Sequence, residues 1–185
     1  MQITIDGFVS WPIGEMDWMN FNWGNDIMSY IDELTDSSGT IILGRKMTEG
    51  FIPHWTNMTS NPDDPSYAFG KKMVDLQKVV FTKTLDKSPW SNTILAKGDM
   101  VEEVEKLKNQ QGKDIIVYGG VSFVSSLVGK NLIDEYHLFI NPAAIGKGLT
   151  IFNNLNNRLN LTLIKSISFD CGIVVNRYEQ DGKSK

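Results

Sequence analysis

The chain has 185 residues, with 22 acidic against 18 basic side chains and a formal net charge of −4. That length suits a single domain, residues 1–185, with a sizeable core, and the acidic balance without a Lys/Arg cluster excludes a nucleic-acid footprint. One cysteine, Cys171, rules out an internal disulfide, and the absence of a long apolar run or a secretory pattern predicts a cytoplasmic protein with no membrane partner.

Ile3-Thr4-Ile5 alternates as a strand does and runs into Asp6-Gly7, a turn signal. This strand begins almost at Met1, which leaves its upstream extent open. Trp11, Trp18 and Trp23 crowd the next segment, where such rings either fill a core edge or wall a pocket for a flat ligand. Asn25 or Asp26 caps a helix through Leu34, with Ile27, Tyr30, Ile31 and Leu34 at helical spacing. Asp26 falls in the first turn, where a carboxylate complements the helix dipole or, if partly buried beside the aromatic wall, relays a proton to a heterocycle.

Thr40 to Leu43 reads as a buried strand ending at Gly44-Arg45-Lys46-Met47-Thr48, followed by a short helical stretch to Phe51. Pro53 to Pro65 reads as a loop. A helix over 67–76 leads into the strand Gln77 to Phe81, which ends in Thr82-Lys83-Thr84. Thr93 to Ala96 is a short strand, and Gly98-Asp99 starts a helix in which Glu102 is set to pair with Lys106.

Asp114-Ile115-Ile116-Val117-Tyr118 then reads as a strand that stops at Gly119-Gly120, with Ser122 opening a helix as its cap and the helix ending near Gly129. The glycine pair suits a close strand-to-helix turn with nothing bound. Equally, it lets backbone approach a pyrophosphate at a helix start, where the dipole contributes roughly 0.3–1 kcal/mol.

From Leu132 the pattern becomes β-rich: Ile133 to Ile140, Leu161 to Phe169 and Ile173 to Tyr178, the last two forming a hairpin about Asp170-Cys171-Gly172. Asp134 and Glu135 resemble a catalytic pair, but adjacent strand residues face opposite ways, so both are read as structural. Leu149 to Phe152 is a short turn that packs its Phe inward. His54 and His137 have no metal-ligand companion at useful spacing, so no metal site is expected. The fold class is therefore α/β, a mixed, mostly parallel sheet flanked by helices with an antiparallel C-terminal hairpin. The hairpin side leaves room for a homodimer through an unpaired edge. Ligands of open α/β sheets bind outside the carboxyl ends of the strands, and three such ends here carry phosphate-friendly groups.

Taken together, Ile5-Asp6-Gly7-Phe8-Val9, Leu43-Gly44-Arg45-Lys46, Val117-Tyr118-Gly119-Gly120, Leu132-Ile133-Asp134-Glu135 and Gly146-Lys147-Gly148 resemble the dihydrofolate reductase-like superfamily. Within it, the reductase domain of bacterial riboflavin biosynthesis enzymes is the most similar branch. The resemblance implies a three-layer α/β/α fold, NADPH as hydride donor, and a pterin-like or pyrimidine-like substrate, as in a 5-amino-6-(5-phosphoribosylamino)uracil reductase. By position it makes Gly44, Arg45, Lys46 and Thr48 the cofactor-phosphate junction and Thr82, Lys83 and Thr84 the pocket for the adenosine 2′-phosphate. Tyr118, Gly119, Gly120, Val121, Ser122 and Phe123 would hold the pyrophosphate and approach the nicotinamide. Asp26 matches the acidic residue that binds the pterin ring, with Trp18, Trp23 and Tyr30 beside the substrate. Met47 stands where the family motif has a threonine, which leaves Thr48 to supply the hydroxyl. Two other readings stay open: a nucleotide-binding or sensory module that keeps the cleft without the chemistry, and a flavin-binding protein.

Overall fold

The computed structural model describes residues 1–182. In chain order the elements are β1 (Gln2–Thr4), α1 (Asn25–Asp36), β2 (Ser38–Gly44), α2 (Arg45–Met58), α3 (Tyr67–Asp75), β3 (Gln77–Phe81), β4 (Thr93–Ala96), α4 (Met100–Lys108), β5 (Asp114–Ile116), α5 (Val121–Gly129), β6 (Glu135–Asn141), β7 (Leu161–Ser168) and β8 (Val174–Gln180). Two compact units divide the backbone: Met1–Tyr30 with the chain from Val121 onward, and the segment Ile31–Gly120. No helix among the described residues is long and apolar enough to cross a membrane.

The unit Ile31–Gly120 is built on a parallel sheet in the order β4-β3-β2-β5. Its central strands are short apolar runs, as strands buried on both faces require, and Ile41, Leu43 and Val80 are fully buried. These residues form a core with Phe51 and Met73, against which Met47, Ile52, Trp55, Ile116 and Tyr118 pack. The packing explains why α2 runs on to Met58 through Pro53, where a loop is expected from the sequence. A proline inside a helix forfeits the bond to the carbonyl four residues back, but Phe51, Ile52 and Trp55 recur at helical spacing and are held on the core. In α4, Asp99 caps the helix through the Val101 and Glu102 amides, and Lys106 pairs with Glu103 rather than with the expected Glu102.

The other unit holds a mixed sheet in the order β1-β6-β8-β7. β1 runs parallel to β6 with Gln2 opposite Phe139, while β6, β8 and β7 are antiparallel. The β7–β8 hairpin closes at Gly172, whose φ of 86° is a left-handed conformation that glycine adopts without strain. Among the described residues no strand lies beyond β7, and Leu163 and Ile164 are exposed there beside a register shift and Lys165, features that discourage indiscriminate strand addition. In the loop after β6, Ile151 is the inward side chain, while Phe152 is only half-buried and packs its ring 6.4 Å from that of Tyr136.

Two motifs far apart in sequence meet in this unit. Asp6 accepts hydrogen bonds from the Thr4 hydroxyl and from the Gly146 and Ile145 amides, and these donors, the hydroxyl foremost, hold its carboxyl below the usual range. Ser10 pairs with Leu149, so the segment after β1 and the Gly146-Lys147-Gly148 loop are stitched together.

Candidate active site

Strand register places the three predicted junctions of the Ile31–Gly120 unit along one rim. Gly44 at the end of β2 lies opposite Phe81 at the end of β3, and Phe81 lies opposite Ala96 of β4. On the other side Ile41 pairs with Ile116, so the chain leaving β5 reaches Gly119 as the chain leaving β2 reaches Gly44. The start of α2, the Thr82-Lys83-Thr84 turn and the Tyr118-Gly119-Gly120 turn therefore follow the carboxyl ends of neighbouring parallel strands, the edge at which open α/β sheets bind ligands.

At the first junction Gly44 precedes α2 in an extended conformation, and no side chain caps the helix. The first-turn amides are thus the donors an anion would meet. Arg45 is half-exposed and its guanidinium reaches Glu49 at 2.7 Å, while Lys46 is exposed. Thr48 is not positioned to replace the missing family threonine: it is fully buried and donates its hydroxyl to the Arg45 carbonyl.

At the second junction Thr82 is buried, and its oxygen accepts from the Thr84 and Leu85 amides, each at 3.2 Å. Thr82 therefore shapes the turn, and Lys83 and Thr84 are its exposed members. At the third, Tyr118 points into the core. Its ring lies 5.9 Å from that of Phe51, its hydroxyl is 3.1 Å from Thr35 Oγ1, and burial pushes the phenol pKa up. Gly120 has a φ of 72°, so alanine there should cost about 1–2 kcal/mol, measurable as a lower Tm in thermal melts of Gly120→Ala.

The remaining predicted site residues belong to the other unit. α5 begins at Val121, so Ser122 is its second residue and not its cap; Ser122 is exposed, and Phe123 is partly buried. Trp18 is half-buried with its indole N–H lacking a partner among the described residues. Trp23 donates its indole N–H to the Asn20 carbonyl at 2.6 Å and packs near Phe21, an exposed ring that sequence reading passes over.

Asp26 differs most from its predicted setting. It is exposed at the start of α1, and its carboxylate accepts from the Asp170 amide at 2.9 Å. That bond, followed by one from the Ile27 amide, lowers its pKa, so it stays ionised at neutral pH and is a poor proton donor. One turn along, Tyr30 is packed among Phe139, Phe169 and His137 rather than offering a free face for stacking.

The Tyr30 hydroxyl lies 2.6 Å from His137 Nδ1, His137 Nε2 bonds Glu135, and Glu135 receives Arg177 at 2.7 Å. Desolvation lowers the His137 pKa despite Glu135, so the neutral ring accepts from the phenol. This chain is absent from the sequence-based site, although Glu135 and His137, two apart in one strand, fall on one face.

The chain has the dihydrofolate reductase-like α/β fold. It superposes on dihydrofolate reductase from Enterococcus faecalis, solved with NADP(H), with a TM-score of 0.58 at 13% identity, covering 97% of this chain and 93% of that one. It also superposes on the diaminohydroxyphosphoribosylaminopyrimidine deaminase/5-amino-6-(5-phosphoribosylamino)uracil reductase of Thermotoga maritima with a TM-score of 0.68 at 17% identity, covering 97% of this chain and 54% of that one. Residues 1–175 match the RibD C-terminal domain, and the chain belongs to that family. It is 31% identical over 187 residues to the uncharacterized protein YyaP of Bacillus subtilis (strain 168), covering 98% of this chain and 93% of that protein.

Proposed function

We propose that this protein is an NADPH-dependent reductase of a small pterin-like or pyrimidine-like heterocycle. The observation that carries the reading is the shared rim of the parallel sheet, where an uncapped helix start, a threonine-lysine turn and a glycine turn follow neighbouring strands. The donor chemistry fits a phosphorylated dinucleotide. The α2 amides and the Gly119-Gly120 backbone would hold the pyrophosphate, and Lys46, Lys83 and Thr84 are the exposed cations and hydroxyl available to a further phosphate. Bound NADPH would supply the hydride. With Asp26 ionised and engaged to Asp170, water is the better source of the accompanying proton. Family membership and the folds of a pyrimidine reductase and of dihydrofolate reductase support the substrate class.

One observation favours a second reading, a nucleotide-binding module without turnover: Arg45, Thr48 and Asp26 are each tied to a neighbouring residue. One experiment separates the two. Titration with NADPH, read by the five tryptophans, should show saturable quenching, and a panel of pterins and pyrimidines should then cause cofactor oxidation. Quenching without oxidation supports the binding module. No response at millimolar cofactor sinks both.

A further inference from the structure

We propose that Met47 sets how closely a dinucleotide approaches the glycine turn, because its thioether walls the bare face of Gly119, leaves room there for no more than a methyl group, and must withdraw for the larger phosphate to take that place. This inference rests on the cofactor reading above. Gly119 is buried, and a methyl group added to it would stand 3.5 Å from Met47 Cε and 3.9 Å from Sδ. Its φ is not among the left-handed ones, so the backbone does not itself demand glycine at this position. The space left by the missing side chain is therefore one methyl group deep on this side, and Met47 is its wall.

The neighbours of Met47 cannot take over its position. Thr48 is buried with its hydroxyl committed to Arg45, and Arg45 reaches along the helix to Glu49. Met47 is unbranched, with three rotatable bonds, and lies at the margin of the core, so it can move without opening the sheet. A site covered for most of the time binds with an affinity reduced by the fraction of molecules in which it is open. Shortening the side chain removes that reduction without adding a contact.

The test is the Kd for NADPH, by tryptophan fluorescence on the full chain, for the wild type and for Met47→Ala, Met47→Thr, Met47→Leu, Gly119→Ala and the double variant Met47→Ala/Gly119→Ala. Met47→Ala and Met47→Thr should bind about tenfold tighter, while Met47→Leu, similar in volume, stays within about twofold of the wild type. The methyl group of Gly119→Ala meets Met47 at ordinary contact distance, so that variant should fold, checked by circular dichroism. It should nevertheless bind about tenfold more weakly, with or without Met47→Ala, because the phosphate loses the same face. If the wild type binds and the Met47 and Gly119 substitutions leave Kd unchanged, the gating role fails while the cofactor reading stands. If no variant binds, both fail. Binding by Met47→Ala alone supports both. Should Met47→Ala fail to fold, Met47→Thr and Gly119→Ala decide by the same criteria.

Discussion

Replacing Gly148 with alanine should cost about 3 kcal/mol or more, lowering Tm by roughly 6–12 °C in a chain of this size. A methyl group at this position would stand 2.2 Å from the Ser10 carbonyl oxygen, 3.1 Å from Phe8 Cβ and 3.2 Å from Ile145 Cδ1. The carbonyl has nowhere to retreat. It accepts the Leu149 amide at 2.9 Å, Val9 donates to the Leu149 carbonyl at 2.8 Å, and Val9 and Ser10 are both buried. Relieving the clash therefore breaks the bridge between the segment after β1 and the loop after β6. Gly146 supplies the comparison. Its added methyl meets nothing within 4 Å, and the cost of alanine there is that of a φ of 71°, about 1–2 kcal/mol. Thermal or urea melts of the two single variants should separate them clearly. Equal losses would mean that the Ser10 carbonyl yields to the methyl group at little cost, since Gly148, unlike Gly146, has no left-handed φ to require glycine.

This pair of contacts also shows what was legible in the sequence. Asp6-Gly7 and Gly146-Lys147-Gly148 are recognisable as punctuation, and the family resemblance joins them, but no spacing reveals that Asp6 binds the Ile145 and Gly146 amides. Strands were the easiest elements to read. β3 and β4 match their predicted limits, because short apolar runs between turn residues leave few alternatives. Pro53 reads as a helix break by local preference, and tertiary packing of Phe51, Ile52 and Trp55 overrides that preference.

The candidate site was legible in outline, since glycines and cations at strand ends carry a physical meaning in any open α/β sheet. What the sequence could not give is the commitment of each side chain. Thr48 and Thr82 look like ligand hydroxyls until the structure shows one bonded within its helix and the other shaping its turn. Asp26 looks like an acid until the Asp170 amide, 144 positions away, is seen to hold it. Glu135 and His137 are the reverse case, a pair that strand alternation puts on one face although His137 has no metal-ligand companion at useful spacing.

The second large effect should appear as a pH dependence that disappears in Lys78→Met. Lys78 is only 3% exposed, at the start of β3, with its ammonium bonded to the Val74 and Leu76 carbonyls at the end of α3. Around it lie Phe51, Ile52, Trp55 and Met73, and this burial lowers its pKa from 10.5 to about 8, with Asp75 acting weakly in the opposite direction. Below about pH 8 the group is protonated in both folded and unfolded chains, and the folded state bears the full cost of the buried charge. Between about 8 and 10.5 the unfolded chain still holds the proton while the folded one has released it, so stability rises with pH. Above 10.5 the cost is gone. A shift of this size corresponds to about 3 kcal/mol. At pH 7 the variant should differ little from the wild type, since relief of desolvation is offset by two carbonyls losing their donor. Urea melts of both proteins at intervals from pH 7 to 11 should show the wild type gaining on the variant by about 3 kcal/mol, with other titrating groups cancelling in the difference. Parallel curves would show that Lys78 keeps its ordinary pKa when folded, and that the two carbonyls and nearby water compensate its charge fully.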